Sequence, residues 1–213
     1  MERIFAVGDI HGCLHQLQGM ISLLDIDRER DILVFVGDYI DRGPDAKGVV
    51  DFILELKRDL RNVVCLRGNH EELLLDFYLE GKNGPLFLNN GGLETLHSYG
   101  LKKKSEGSSL RLPDAHLQFF QTLPFYFETG DFLFVHAGLR PGLSLEEQDL
   151  HDLLWIRHEF FLSDADFSKV VVFGHTPFAR PLLSEHIIGI DTGAVYGGKL
   201  TCIELPGRKI YQV

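Results

Sequence analysis

The chain has 213 residues, 45% of them hydrophobic and 24% charged, which is the balance of a soluble globular protein with length enough for one sizeable core. Its 21 Lys and Arg stand against 31 Asp and Glu, a formal net charge of −10, and that excess sets it against nucleic-acid backbones and anionic membranes. The composition excludes a disordered or fibrous chain, and no apolar run approaches the roughly 20 residues that span a bilayer.

The first apolar run, at 4–7, leads into Gly8-Asp9-Ile10-His11-Gly12, after which Leu14, Leu17, Ile21 and Leu24 recur at helical spacing. Residues 32–36 lead into Gly37-Asp38-Tyr39-Ile40-Asp41-Arg42-Gly43-Pro44, followed by Val49, Phe52, Ile53 and Leu56 at the same spacing. Residues 63–66 lead into Arg67-Gly68-Asn69-His70-Glu71, then Leu73, Leu74 and Phe77. Strand then helix, three times over, predicts a βαβαβα half with parallel strands. Right-handed crossovers gather the three turns at one sheet edge, where open α/β sheets bind ligands.

Past residue 80 the pattern is less regular. Asn89-Asn90-Gly91-Gly92 reads as a turn cluster and 100–109 as a mobile polar loop, and the stretch 82–112 is expected to shape substrate access. Lys102-Lys103-Lys104, the only basic run, reads as a solvated loop, with a docking patch for an acidic partner as the alternative. Further strands are expected at 125–128, 132–135, 170–173, 187–190, 200–204 and 209–213, with a helix over 150–161. No linker, repeat or low-complexity tract divides the chain. The expectation is one domain over 1–213, an α/β sandwich of two mixed sheets flanked by helices. Cys13, Cys65 and Cys202 are odd in number and show no paired spacing, so they read as reduced thiols. With no signal peptide ahead of the first strand, the expected compartment is the cytoplasm.

The chemistry-bearing residues recur at strand ends. The three N-terminal turns offer Asp9 and His11, then Asp38, then Asn69 and His70; two later runs end in His136-Ala137-Gly138 and Gly174-His175-Thr176. A single Asp or His after a strand is ordinarily a turn or cap residue. Five such ends converging on one edge, each beside a glycine, are more than turn chemistry produces. Carboxylate, imidazole and amide oxygen without thiolate favour Mn²⁺, Fe or Zn²⁺ over a sulfur-bound structural zinc. Two such ions about 3.5–4 Å apart clamp an in-line displacement and acidify a water, and Asp38, from the central turn, is the natural bridging carboxylate.

These motifs resemble those of the phosphoprotein phosphatases, in their compact bacterial and bacteriophage branch. The resemblance rests on the three N-terminal turns and continues through His136-Ala137-Gly138, Trp155-Ile156-Arg157, Gly174-His175-Thr176-Pro177 and 190–198, nearly the whole chain. It implies that Asp9, His11 and Asp38 hold a first divalent ion and Asp38, Asn69, His136 and His175 a second, with Mn²⁺ the expected metal. It implies that Arg42 and Arg157 grip the phosphate, that His70 is the general acid oriented by Asp41, and that a hydroxide shared by the ions attacks. Asp191 would support a turn at the rim; Tyr39 would border the cleft or pack. The expected activity is a serine/threonine protein phosphatase, with no regulatory subunit implied and the oligomeric state left open.

Other readings remain at this stage. A symmetrical diadenosine tetraphosphate hydrolase shares the metal core, but that relative carries Ala where Asp41 precedes Arg42 here. A broad nucleotide phosphoesterase is a further alternative. A non-catalytic scaffold predicts missing ligands, whereas all ten matched positions carry the expected residue type. A nucleic-acid module would need a basic footprint that the acidic balance denies.

Overall fold

In the computed structural model, which describes residues 3–100 and 111–213, strand β1 (Ile4–Val7) is buried along its whole length yet serves two cores. Phe5 and Val7 enter one, Ile4 and Ala6 the other, because successive side chains leave opposite faces of a sheet. Strand β2 (Ile32–Phe35) divides the same way, Leu33 and Phe35 against Ile32 and Val34. An unbroken apolar run is the mark of a strand covered on both faces.

Helices α1 (Leu14–Leu23) and α2 (Ala46–Asp59) follow these strands, and α3 (Asn69–Glu80) follows β3 (Val63–Cys65). The three strands are parallel, as expected. A second sheet is built from β4 (Tyr126–Thr129), β5 (Phe132–Val135), β6 (Val170–Phe173), β7 (Leu182–Leu183) and β8 (Ile187–Gly189). Its order is β4-β5-β6-β8-β7. The chain then returns to the first sheet with β9 (Thr201–Leu205) and β10 (Lys209–Gln212), giving β10-β9-β1-β2-β3.

The sheets pack face to face through Ala6, Val34, Phe134, Val172 and Ile188. The outer face of the first is covered by α1, α2, α3 and α6 (Asp114–Thr122), through Leu17, Val49, Leu74 and Phe120. That of the second is covered by α7 (Leu150–Trp155) and α8 (His158–Phe161), through Leu153 and Phe160. The result is a helix–sheet–sheet–helix sandwich, the architecture expected.

The details depart from expectation in four places. The five ligand-bearing strand ends do not share one sheet edge: three come from the first sheet and two from the second. The helix expected over 150–161 breaks at Ile156 and Arg157, because Ile156 leaves helical geometry and turns into the core beneath the second sheet. The Asn89-Asn90-Gly91-Gly92 cluster does turn the chain, at Gly91 with φ 95°, but it is flanked by two short helices that were not expected, Gly84–Phe87 (α4) and Leu93–Ser98 (α5). Phe87, buried and stacked 5.1 Å from Phe77, anchors the first of these helices against α3. Helix α6 and strand β7 had no counterpart in the expectations.

Lys102-Lys103-Lys104 and nearly all of the loop expected over 100–109 lie outside the described residues. Among the described residues, no helix is long and apolar enough to cross a membrane. Cys65 and Cys202 are buried free thiols.

Candidate active site

The turns that follow the strands are wound unusually tightly. His11, Asp38, Asp41, Arg42 and His175 all have φ between 45° and 69°, the left-handed region that costs a side-chain-bearing residue about 1–3 kcal/mol. Among the described residues only Asn83, Ser168 and Arg208 otherwise do so without being glycine. The strain is concentrated where the candidate ligands sit.

On the first sheet, the backbone N–H groups of Ile10 and His11 donate to the Asp38 carbonyl at 3.0 and 2.8 Å, tying the first turn to the second. The His11 Nδ1–H donates to the Ile40 carbonyl at 2.7 Å, which leaves the Nε2 lone pair facing Asp38 Oδ2 at 3.4 Å. Burial lowers the His11 pKa to about 3, so the ring is neutral. His70 places Nδ1 2.6 Å from Asp41 Oδ2 and Nε2 3.9 Å from Asp38 Oδ2. Burial opposes its protonation, but the Asp38 and Asp41 carboxylates prevail and raise its pKa. For Asp38 burial would raise the pKa, yet the positive charge that His136, His70, His11 and His175 gather around it as they take up protons in acid holds it below the ordinary carboxylate range.

The second sheet supplies its ligands by reaching across. From the end of β5, the His136 Nδ1–H donates to the Val36 carbonyl at 2.9 Å, while Nε2 lies 2.9 Å from Asn69 Oδ1. From the end of β6, the His175 N–H donates to Asp9 Oδ2 and its Nδ1 lies 2.9 Å from Asn69 Oδ1. Gly68 and Gly174 are required here by close approach, since a Cβ at either would collide with Asp38 Oδ1 or Asp9 Oδ1. Burial lowers the pKa of both His136 and His175 and raises that of Asp9.

This arrangement calls for cations. His136, neutral and with its one proton committed to Val36, turns a lone pair toward Asn69 Oδ1 at 2.9 Å and Asp38 Oδ1 at 3.4 Å. Acceptors that face one another in a dry interior are tolerable only with positive charge between them. Asp9 Oδ1, His70 Nε2 and His175 Nε2 are buried without any hydrogen-bond partner. Donor atoms of His11, Asp38 and His70 lie within 4.8 Å of one another, as do those of Asp38, His136 and His175. Asp38 is common to both groups, the placement a bridging ligand needs. Nitrogen and oxygen donors without sulfur suit a divalent ion of the Mn, Fe or Zn kind.

Arg42 meets this cluster at His11, and Arg157 meets it beside His175, at Thr176. Arg42 Nη1 is 2.6 Å from His11 Nε2, and its guanidinium lies 5.6 Å from the ring centre of the exposed Tyr196. Arg157, released from the helix by the break at its own position, donates to Thr176 Oγ1 at 3.3 Å. Trp155 stands edge-on to His175 at 6.0 Å. Asp191 accepts from the Gly193 N–H at 2.9 Å and so shapes a turn. Tyr39 does not line the cleft: it is fully buried and donates to the Leu66 carbonyl at 2.7 Å. The Cys13 thiol is half-buried, and burial raises its pKa, which disfavours the reactive thiolate.

One residue of the third motif had been given no role. The buried Glu71 carboxylate accepts from the backbone N–H groups of Gly68, Asp38 and Tyr39 at 3.0, 3.0 and 2.9 Å. It locks the second ligand turn to the third. A Glu three residues after a glycine cap at a helix start is the sequence trace of such a clamp, but its second partner, 33 residues upstream, leaves no local trace.

A model of the calcineurin-like phosphoesterase family matches residues 2–202. The chain belongs to that family. This phosphoesterase is 33% identical over 212 residues to serine/threonine-protein phosphatase 1 of Salmonella typhimurium, covering 94% of this chain and 90% of the relative. It is 28% identical over 237 residues to the asymmetrical bis(5'-nucleosyl)-tetraphosphatase PrpE of Anoxybacillus flavithermus, covering 97% and 92%. Among solved structures it resembles a protein provisionally assigned as a diadenosine tetraphosphatase, at TM-score 0.76 and 25% identity over 100% of this chain and 93% of the other. A cold-active protein-tyrosine phosphatase of a psychrophilic Shewanella shares the fold at TM-score 0.63 and 18% identity, over 100% and 80%. The protein is thus a phosphoester hydrolase of a metal-dependent family with a candidate site for two ions.

Proposed function

We propose that the protein hydrolyses phosphate monoesters on serine and threonine side chains, within one domain spanning 1–213 and in the cytoplasm. The observation that carries the chemistry is His70: its Nδ1 is held by Asp41 at 2.6 Å while its Nε2 is unpartnered beside the ligand cluster. That is the geometry of a general acid.

In this reading Asp9, His11 and Asp38 hold one ion, and Asp38, Asn69, His136 and His175 the other, with Mn²⁺ the expected metal. Bound there, divalent ions supply Lewis acidity toward the phosphoryl oxygens and lower the pKa of water. Arg42 and Arg157 bind the phosphoryl oxygens, a task that suits a permanently charged fork of donors. Hydroxide drawn from water forms the new P–O bond in line as the ester P–O bond breaks; that bond's electron pair stays on the leaving oxygen, which takes the proton from His70 Nε2. Asp41 steadies the ring while this happens.

Two observations support the protein substrate, the Asp41-Arg42 pair and the likeness to the Salmonella phosphatase. The likeness to dinucleoside tetraphosphatases supports a second reading, hydrolysis of a dinucleoside polyphosphate. Turnover by metal-stripped protein with and without Mn²⁺ separates the two. Phosphoserine and phosphothreonine peptides, a phosphotyrosine peptide and diadenosine tetraphosphate serve as substrates. Mn²⁺-dependent phosphate release, fastest from the phosphoserine and phosphothreonine peptides, is the expected result. Fast splitting of the dinucleotide with slow peptide turnover would overturn the first reading in favour of the second.

A further inference from the structure

We propose that Thr95 is a positioning residue for the proton donor, acting through Asp41. The inference rests on the reading of His70 as general acid and extends it to a helix outside the ligand turns. Thr95 lies on α5, 54 residues from Asp41 in sequence. Its hydroxyl donates to Asp41 Oδ1 at 2.6 Å and accepts the Asp41 backbone N–H at 2.8 Å. Thr95 and Asp41 are both fully buried, so water cannot replace either bond.

The Asp41 carboxylate is therefore held at both ends, by Thr95 on Oδ1 and by His70 Nδ1 on Oδ2. The terminal torsion of an aspartate is intrinsically broad, and the hydroxyl narrows it. Without that hydroxyl the carboxylate can turn, Oδ2 leaves Nδ1, and the imidazole is free to tilt its unpartnered Nε2 away from the leaving group. The same segment steadies the neighbouring backbone. Asp41 and Arg42 are both left-handed, at φ 69° and 67°, and the Arg42 N–H donates to the Gly91 carbonyl at 3.1 Å. Packing alone does not require a hydroxyl here, because valine has the same shape. Donating and accepting at one atom does require it.

The test is a leaving-group series run from 2,4-dinitrophenyl phosphate, which needs little protonation of its leaving group, through p-nitrophenyl to phenyl phosphate. Thr95→Val should lose about tenfold or more in kcat on phenyl phosphate, a fraction of the 10²–10⁴ that a positioned acid contributes, and far less on the dinitrophenyl ester. Thr95→Ser should restore the wild-type ratio, and Thr95→Ala should repeat the valine slope. These ratios are independent of how much enzyme is folded. His70→Asn provides the reference slope. A steep slope for His70→Asn with a wild-type slope for Thr95→Val and Thr95→Ala overturns the role of Thr95 alone. A wild-type slope for His70→Asn overturns the acid itself, and this inference with it.

Discussion

The two sheets contribute to the site in different ways. The first sheet builds its turns among themselves: Asp38 receives the N–H groups of the first turn, and Glu71 binds the second turn to the third. The second sheet ties its two ligand turns by a backbone bond, Gly174 N–H to the His136 carbonyl at 2.8 Å, but among the described residues no side chain braces them from within that sheet. Among the described residues, His136 and His175 are fixed by reaching to Val36, Asn69 and Asp9 on the first sheet. The second sheet's imidazoles thus find their partners only where the two faces meet. The ligand cluster is a seam between two packed layers.

The largest effect should come from the residue on which the seam closes. Asp38→Asn keeps the shape but removes the charge shared by both donor groups. Activity should fall well beyond the 10–100-fold typical of losing an outer partner of a metal ligand. Metal analysis after dialysis should show both ions weakened, and retention of two tightly bound ions would break the comparison at its centre.

Next in size is the packing that brings the layers together. Phe134 is fully buried between the sheets and Met20 fully buried on the outer, helical side. Phe134→Ala should cost about 3–5 kcal/mol and Met20→Ala about 2–5 kcal/mol in denaturant unfolding. Only the first should also weaken metal binding per folded molecule. Equal metal affinities in the two variants would mean that the sheet interface does not set the geometry of the cluster.

Much of this was legible in the sequence, for identifiable reasons. Runs such as those at 4–7 and 170–173 are apolar throughout because both faces are covered, and each ends in a glycine-flanked ligand turn. Those strand ends bring donor atoms of His11, Asp38 and His70, and of Asp38, His136 and His175, within 4.8 Å of one another, with Asn69 against His136 and His175 and Asp9 against the His175 backbone. What was illegible depends on distant partners. That the five ends belong to two sheets follows from β5 and β6 pairing with each other and not with β3, which no local pattern encodes. The break at Arg157 is set by where Ile156 finds apolar company. Glu71 and Thr95 act on residues 33 and 54 positions away. Their type is ordinary for their helices, so only the folded chain shows what they hold.

Glu71→Gln probes the side-chain brace of the first sheet. Glu71 Oε1 and Oε2 both accept backbone N–H groups, and an amide NH₂ at either position would meet a donor with a donor. Leaving buried donors unmatched costs about 1–3 kcal/mol, so unfolding should show a loss of about 2 kcal/mol. Metal affinity should fall about 10–100-fold, while substrate preference stays unchanged. An unaltered affinity would show that the turns hold their shape without Glu71.

The smallest effect should come from the opposite end of the first sheet, at the start of β1. There the Asp31 carboxylate takes hydrogen bonds from Arg3 Nη2 at 2.6 Å and from the Asp27 N–H at 2.8 Å. Burial alone would raise the Asp31 pKa, but the Arg3 guanidinium and the two backbone donors outweigh it and lower it. A carboxylate depressed on folding stabilises the protein above its unfolded value, about 3.9, and that contribution drains away as pH falls through the folded value. Arg3 is a third exposed, so the pair is worth about 1 kcal/mol at most. Asp31→Asn should therefore be less stable than the parent by a constant margin above about pH 5, and the margin should shrink below about pH 4. Turnover and metal content at neutral pH should not move, because this end of the sheet lies a full strand length from the seam. A variant that lost metal here would show that strain in β1 is transmitted along the strand, and the division between a self-braced sheet and a docked one would have to be redrawn.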